Sequence, residues 1–588
     1  MNSVCHLQSI VRQKIEALGL DRVENFVLLA IGLATFFAGL GFWFGGLLGR
    51  WQMMVAMIFT MGLAAMSSVK MLLRFLAICA VCFFACAYTF SYCGIDASVY
   101  HVPVQRLLNE GWNPIFQSSV EDVRRLTNDG CMAYHAAFLP RFVALVGALI
   151  AKISGLFVAD TFVHYFSIYL VFAAGFRFAK LQWCCETCAA GIFGAIVALP
   201  SQIGTIMCSE IDYSLYSCLA TATLSILNWE RTYRRGELFL VFSCLSFAML
   251  MKFTGLVVGA IILGIFAFRH RHEKWLLPSI TLLVAFCVIV GAAPYITTWV
   301  RYGSPFYPTH SFDSSVRLVD ITDDFTSNAD GASMGYFARI VYAWFSTKLA
   351  CLGCAWWQGK DTFNPEFYVP VGVDGLKTWF RVLMWLAVGA LAFSKKNRVT
   401  VLCLIVFALM NIAPLKYIGF GRYFMLIWLI PPLAMYNIVY NPIRQVERLM
   451  KYVKLGVYAV LCGLAMLVAV KTFWLWLRAV GLEGARQIVF QEAVDKGVKT
   501  FLPDKPMRGF GVNERYECAK KSRNRDLKKS GKAACDVPFD TWVYMPVGFS
   551  ISPYDLARDF PKCDTPKQFR EFAYSKVVMR LPKVLREQ

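Results

Sequence analysis

The stretch Cys93-Gly94-Ile95-Asp96-Ala97-Ser98-Val99-Tyr100-His101-Val102-Pro103 follows a hydrophobic run over about 71–92 and sets one carboxylate beside a phenol and an imidazole. Asp96 and Tyr100 share a face of any helix beginning near Gly94, because residues four apart lie one above the other. Val99 and Val102 can pin a neighbouring face to a membrane surface, and Pro103 bends or restarts the helix. A carboxylate at such a boundary, partly desolvated, suits deprotonation of an acceptor hydroxyl or amine. The simpler alternative is a helix cap, since Asp often opens surface helices.

Four further groups could serve chemistry. Glu210 and Asp212, one residue apart, offer hard oxygen ligands for a divalent cation such as Mg or Mn, or solvate a helix end. Lys252 lies in the apolar stretch Ala248-Met249-Leu250-Met251-Lys252-Phe253-Thr254-Gly255, where a charge is costly unless it meets a partner, a pathway or an anionic ligand, or snorkels to the interface. Arg422, followed by Tyr423, opens a late apolar run, where its guanidinium can grip a lipid phosphate or simply snorkel. The turn Arg301-Tyr302-Gly303-Ser304-Pro305-Phe306-Tyr307-Pro308 reads first as an interfacial anchor and second as a sugar platform. His135, His164 and His310 have no helical partner and read as structural.

These residues need a membrane around them. The 588-residue chain is 57% hydrophobic and 15% aromatic with a mean hydropathy of +0.52, more apolar surface than one soluble core can hide. Its formal charge of +21 sits largely between apolar runs, which assigns it to helix orientation and anionic lipid rather than to nucleic acid. The first apolar run, about 25–48, is long enough to be retained as a span rather than cleaved as a signal. Most of the 20 cysteines fall inside apolar runs, where a thiol packs as a small hydrophobe. Cys184, Cys185 and Cys188, and the pair Cys351 and Cys354, have metal-like spacing without a second matching pair, and packing is the expected role. Cys93 with Cys131, and Cys518 with Cys535, are candidates for disulfides in an oxidising compartment.

About fourteen apolar segments can be marked between residues 25 and 475. Basic loops at Arg12, Lys14 and Arg22, at Lys70 and Arg74, at Arg231, Arg234 and Arg235, at Arg269, Arg271 and Lys274, at Lys395, Lys396 and Arg398, and at Arg444 to Lys454 read as cytoplasmic. If every segment crossed, the basic loop at Arg231 would face outward. One segment between 139 and 204 is therefore expected not to span, leaving about thirteen transmembrane helices, the N-terminus inside and the C-terminus outside.

The expected fold is an α-helical polytopic membrane protein with extracytoplasmic loops and a small extracytoplasmic C-terminal α/β domain. Residues 1–70 form additional N-terminal helices, 71–476 a transmembrane module with outer loops 93–138 and 298–376, and 477–588 the C-terminal domain. Neither an internal repeat nor the inverted symmetry of many transporters is visible.

Taken in order, these residues over about 70–440 resemble the polytopic GT-C glycosyltransferases, the superfamily of protein O-mannosyltransferases and lipid A aminoarabinose transferases. The resemblance rests on the first outer loop with Asp96, Tyr100 and His101, the acidic pair Glu210 and Asp212, Lys252 followed by Thr254-Gly255, the Gly-Ser-Pro-Phe-Tyr-Pro turn, and Arg422-Tyr423. It implies an enzyme that takes a sugar from a polyprenyl-phosphate donor on the extracytoplasmic side and passes it to a glycan, lipid or protein acceptor. Asp96 would be the catalytic base, Tyr100, His101, Lys252, Arg422 and Tyr423 would bind substrate, and Glu210 and Asp212 would bind a metal. A bacterial inner membrane is the expected location. Two departures from the best-marked branches are the apolar segments that precede the helix before Asp96, and Asp96 without an adjacent acid. The alternatives are an O-antigen-type polymerase or ligase, disfavoured by the acidic first half of loop 298–376, and a lipid or sugar flippase, disfavoured by scarce midspan charge.

Overall fold

The computed structural model describes residues 2–88, 101–127, 136–154, 159–184, 186–207 and 211–305, with residues 426, 429, 430, 432 and 433. Among them are α1 (Asn2–Ala17), α2 (Val23–Trp43), α3 (Arg50–Ser67), α4 (Val69–Tyr88), α5 (Val102–Glu110), α6 (Val120–Thr127), α7 (Phe142–Ser154), α8 (Thr161–Trp183), α9 (Thr187–Met207), α10 (Ile211–Thr232), α11 (Arg235–Met251), α12 (Phe253–Arg269), α13 (Leu276–Gly291) and α14 (Thr297–Tyr302). No strand occurs among the described residues. Four helical segments, Val23–Trp43, Val69–Cys86, Thr161–Trp183 and Leu276–Tyr302, are long and apolar enough to cross a membrane. The expected C-terminal α/β domain, Asp96, Tyr100, Glu210, Arg422, Tyr423 and the cysteine pairs proposed as disulfides all lie outside the described residues.

The core is a continuous apolar cluster in which α8 packs against α9 and α10, α10 against α11, and α2 against α3. Leu426, Leu429, Ile430 and Leu433, from the late apolar run at 420–440, join the same cluster. Outside it, Val55, Ile58 and Phe59 on α3, Leu73, Val81 and Phe84 on α4, and Leu277, Leu282, Val284 and Val288 on α13 remain exposed. Apolar side chains both inside and outside are what a helix bundle bathed in lipid requires, and a patch of this extent is foreign to a soluble monomer.

One end of the bundle is ionic. Arg22 at the foot of α2 lies 2.7 Å from Glu237 at the foot of α11, and Arg177 near the end of α8 pairs with Glu24 and lies 3.7 Å from the same Glu237. Glu24 and Glu237 are buried, and a buried carboxylate needs such partners. The loops with Arg231, Arg235 and Arg269 lie at this end too: Arg231 donates to the Gln182 carbonyl, Arg235 to that of Ala17, and Arg269 pairs with Glu230 at 3.0 Å. Trp229, Phe266, His270 and Trp275 pack edge to face beside them.

Helix α7 lies in the stretch 139–204, where one segment is expected not to cross. Both Arg141 and Lys152 reach the end of α5 and the turn after it: the Arg141 guanidinium lies 4.8 Å from the Trp112 ring centre, and Lys152 Nζ donates to the Asn109 carbonyl at 2.6 Å. At its middle, a Cβ on Gly147 would approach Asp160 N to 2.7 Å, so α7 and the foot of α8 can close together only around a glycine. These contacts place α7 at the end opposite the ionic clasp.

Candidate functional site

The elements gathered at the end opposite the clasp start or stop there for local reasons. Helix α5 opens with Pro103 in its first turn, where a missing N–H costs nothing. It closes at Gly111, whose φ of 102° is the left-handed conformation glycine takes freely. Asn113 then pins the following turn by donating to the carbonyls of Phe42 and Gly46 and accepting from the N–H of Ile115. His101, one of the expected substrate ligands, is buried directly before α5.

Two of the expected site residues meet. Lys252 interrupts α11 and α12 with an extended backbone, φ −157° and ψ 152°, so it stands at a helix junction rather than within a span. Its Nζ donates to Asp212 Oδ1 at 2.7 Å, from the first turn of α10. The junction is tight, for a Cβ on Gly255 would reach within 2.7 Å of Leu215 Cδ1 and closer still to the Ala248 carbonyl oxygen.

Next to this pair, His164 Nδ1 and Ser214 Oγ are 2.7 Å apart and buried, so the histidine expected to be structural ties α8 to α10. One turn earlier, Asp160 N donates to Gln105 Oε1 at 3.2 Å. The Asp160 carboxyl is 1% exposed, its Oδ1 has no hydrogen-bond partner among the described residues, and burial pushes its pKa up to about 6 against opposition from backbone N–H groups. At the rim, Asp122 accepts from the hydroxyl and N–H of Ser119, which with Arg301 at 3.9 Å holds its carboxyl below the usual range.

A narrow cleft opens between α2, α7 and the break after α13, lined mainly by Phe42, Leu108, Ile115, Leu145, Leu250 and Ala292 with Arg141. Its free space is about 470 Å³ only when the open solvent at its mouth is included, so little of it is enclosed. Arg141 Nε and Nη2 donate to the carbonyls of Ala136 and Ala137 at 2.7 and 2.9 Å, and its Nη1 has no partner among the described residues. Tyr295, also in the lining, donates to the Met249 carbonyl at 2.7 Å and packs edge to face on Phe253, which joins the cleft to the Lys252 junction.

No protein-family model matches the chain, and neither a curated protein nor a solved structure is found similar to it.

A divalent cation does not fit Asp212 as it stands, because the Lys252 ammonium already occupies Oδ1 and a second cation would face a like charge. Among the described residues no three His, Cys, Asp or Glu side chains converge. Cys184 and Cys188 are exposed at the turn between α8 and α9 rather than packed, so the expected packing role does not hold for them. Arg141 and Asp160 were not singled out in the sequence. The signal for Arg141 is Pro140-Arg141 ahead of an apolar run, and that for Asp160 is a lone acid between two apolar runs.

Proposed function

We propose that this chain is an integral membrane glycosyltransferase that moves a sugar from a polyprenyl-phosphate donor to an extracytoplasmic glycan, lipid or protein. The observation that supports it best is the meeting of Lys252 and Asp212, 40 residues apart in sequence, at the bundle end opposite the arginine-rich loops. The positive-inside rule makes the ionic clasp cytoplasmic and this end extracytoplasmic. A buried ion pair beside a cleft at that level supports a site that handles polar groups within a lipid boundary.

In this reading Asp96 takes the proton of an acceptor hydroxyl or amine as its oxygen or nitrogen attacks the anomeric carbon. The bond from that carbon to the phosphate oxygen breaks, the electron pair leaves with polyprenyl phosphate, and the anomeric centre inverts. Fixed positive charge at Lys252 and Arg422 favours the charge that develops on the leaving phosphate. Tyr100, His101 and Tyr423 complete the binding surface. No metal step is included, given the Lys252 ammonium on Asp212. About thirteen spans, loops 93–138 and 298–376, a C-terminal α/β domain over 477–588 outside the membrane, and a bacterial inner membrane belong to the same proposal.

The test is release of free polyprenyl phosphate by the purified, reconstituted chain offered a panel of polyprenyl-phosphate sugars. Turnover that falls by about a hundredfold or more in Asp96→Asn supports the base. Turnover indifferent to that change removes Asp96 from the mechanism, and no turnover with any donor and acceptor pair defeats the transferase.

A further inference from the structure

The least explained charge in the described residues is Arg141. Lys252, Arg22, Arg177 and Arg269 each have a carboxylate within 4 Å, whereas Arg141, 7% exposed, has none among the described residues and keeps one Nη without a partner. Its only described partners are two backbone carbonyls and the face of Trp112. Burial pulls its pKa down to about 9, with no negative group among the described residues to oppose it, yet it remains a cation at neutral pH. A buried cation without a counter-charge is costly, and an anionic ligand removes that cost.

The surroundings specify the anion further. Every neighbour of Arg141 in the cleft apart from backbone is apolar or aromatic, so the ligand couples one anionic head to a hydrocarbon body. The cleft is also flanked by exposed aromatic side chains. Phe42 in its lining is followed by the exposed Trp43 and Phe44, and the helix break at Ala292 leads to the exposed Trp299, residues that gather where bilayer meets water. Helix α7 begins at Phe142, next to the guanidinium, and Phe142 and Leu145 line the cleft, so the positive end of its dipole adds to the field there.

We infer that Arg141 and the cleft between α2, α7 and the break after α13 bind the phosphate of a lipid, with its hydrocarbon chain against the apolar lining. If the transferase reading holds, this is the subsite for the donor or the departing carrier, and it gives Arg141 a part that Lys252, already paired with Asp212, fills less well. The binding itself does not depend on that reading.

The test is the melting temperature of the full-length, detergent-purified chain titrated with a short polyprenyl monophosphate, the corresponding polyprenol, phosphatidylglycerol or inorganic phosphate. Polyprenyl monophosphate is expected to raise the melting temperature with saturation and polyprenol is not, since a ligand that binds only the folded state stabilises it by mass action. Arg141→Gln is expected to weaken that binding by about tenfold or more and Arg141→Lys by less, because lysine keeps the charge but loses the fork. Because Arg141 also holds two carbonyls, Ile115→Trp, which narrows the cleft and leaves the guanidinium in place, serves as a second variant and is expected to weaken binding too. Equal binding of polyprenol, or undiminished affinity in Arg141→Gln and Ile115→Trp, overturns the site. Phosphatidylglycerol binding as tightly as polyprenyl monophosphate supports a lipid-phosphate site and assigns it to bulk lipid, whereas inorganic phosphate binding equally well overturns the lipid part. Lipid binding that persists without turnover defeats the transferase alone; turnover whose donor KM is unchanged in Arg141→Gln defeats the donor subsite alone.

Discussion

Lys252 Nζ lies 2.7 Å from Asp212 Oδ1, and the pair closes α10 onto the junction between α11 and α12. Asp212 is 3% exposed and Lys252 22%, so each is shielded from the water that would otherwise solvate a lone charge. Lys252→Met alone is expected to lower stability by a few kcal/mol, because the buried carboxylate stays behind without the ammonium. The double variant Asp212→Asn with Lys252→Met is expected to recover most of that loss. Thermal unfolding of the four proteins in one detergent checks this, and a double variant no better than Lys252→Met would mean that the pair is not a unit.

Asp160 sets a pH dependence. Its carboxyl is raised from 3.8 to about 6, so between those values the folded state binds more protons than the unfolded state and stability falls as pH rises. Asp160→Asn does not titrate. Its advantage over the native chain is expected to widen from about pH 4 to pH 6 and then hold, reaching roughly 3 kcal/mol at most. Melting temperatures at pH 4.5 and pH 8 measure the effect; an advantage equal at both values counts against a buried, uncompensated carboxyl.

Gly255→Ala is expected to cost several kcal/mol, because the new Cβ would overlap the Ala248 carbonyl and meet Leu215 Cδ1 at 2.7 Å. Gly264→Ala on the same helix meets nothing within 4 Å and is expected to be neutral or slightly stabilising. A comparison of the two by unfolding separates crowding at the junction from any general dislike of alanine in α12.

The position of α7 predicts a labelling pattern. In a background without other cysteines, Glu121→Cys on α6 and Ile153→Cys in the last turn of α7 are expected to react with an impermeant maleimide from the same side of sealed vesicles, since both parent residues are exposed at one end of the bundle. Cys184 and Cys188, exposed at the opposite end, are expected to react only from the other side. Opposite sidedness of the Glu121 and Ile153 variants would make α7 a span.

Helix existence was readable because length and apolarity are written into each run: the marked segments at 25–48, 159–178 and 276–297 correspond to α2, α8 and the α13 span. Counting positive charges also exposed a parity conflict, which one non-crossing segment between 139 and 204 would resolve. Apolarity alone does not single out that segment, since Phe142–Ser154 is as apolar as a crossing helix. At the site, Lys252 was conspicuous as a charge in an apolar run, but its partner was not, since Asp212 is 40 residues away and was paired in the sequence with its neighbour Glu210. Arg141 and Asp160 escaped notice because a single charge between two apolar runs looks like any loop residue until its burial is known.

Helix α7 also dictates an order of assembly. It rests on α2 and α3, made before it, but also on α8 and on α11, which ends at Met251, nearly a hundred residues after α7 itself. Until α11 emerges and docks, α7 is missing part of its seat. The nascent chain must shelter it in the headgroup layer or against a helper, and truncation before residue 251 leaves that helix as the sticky end of an unfinished protein.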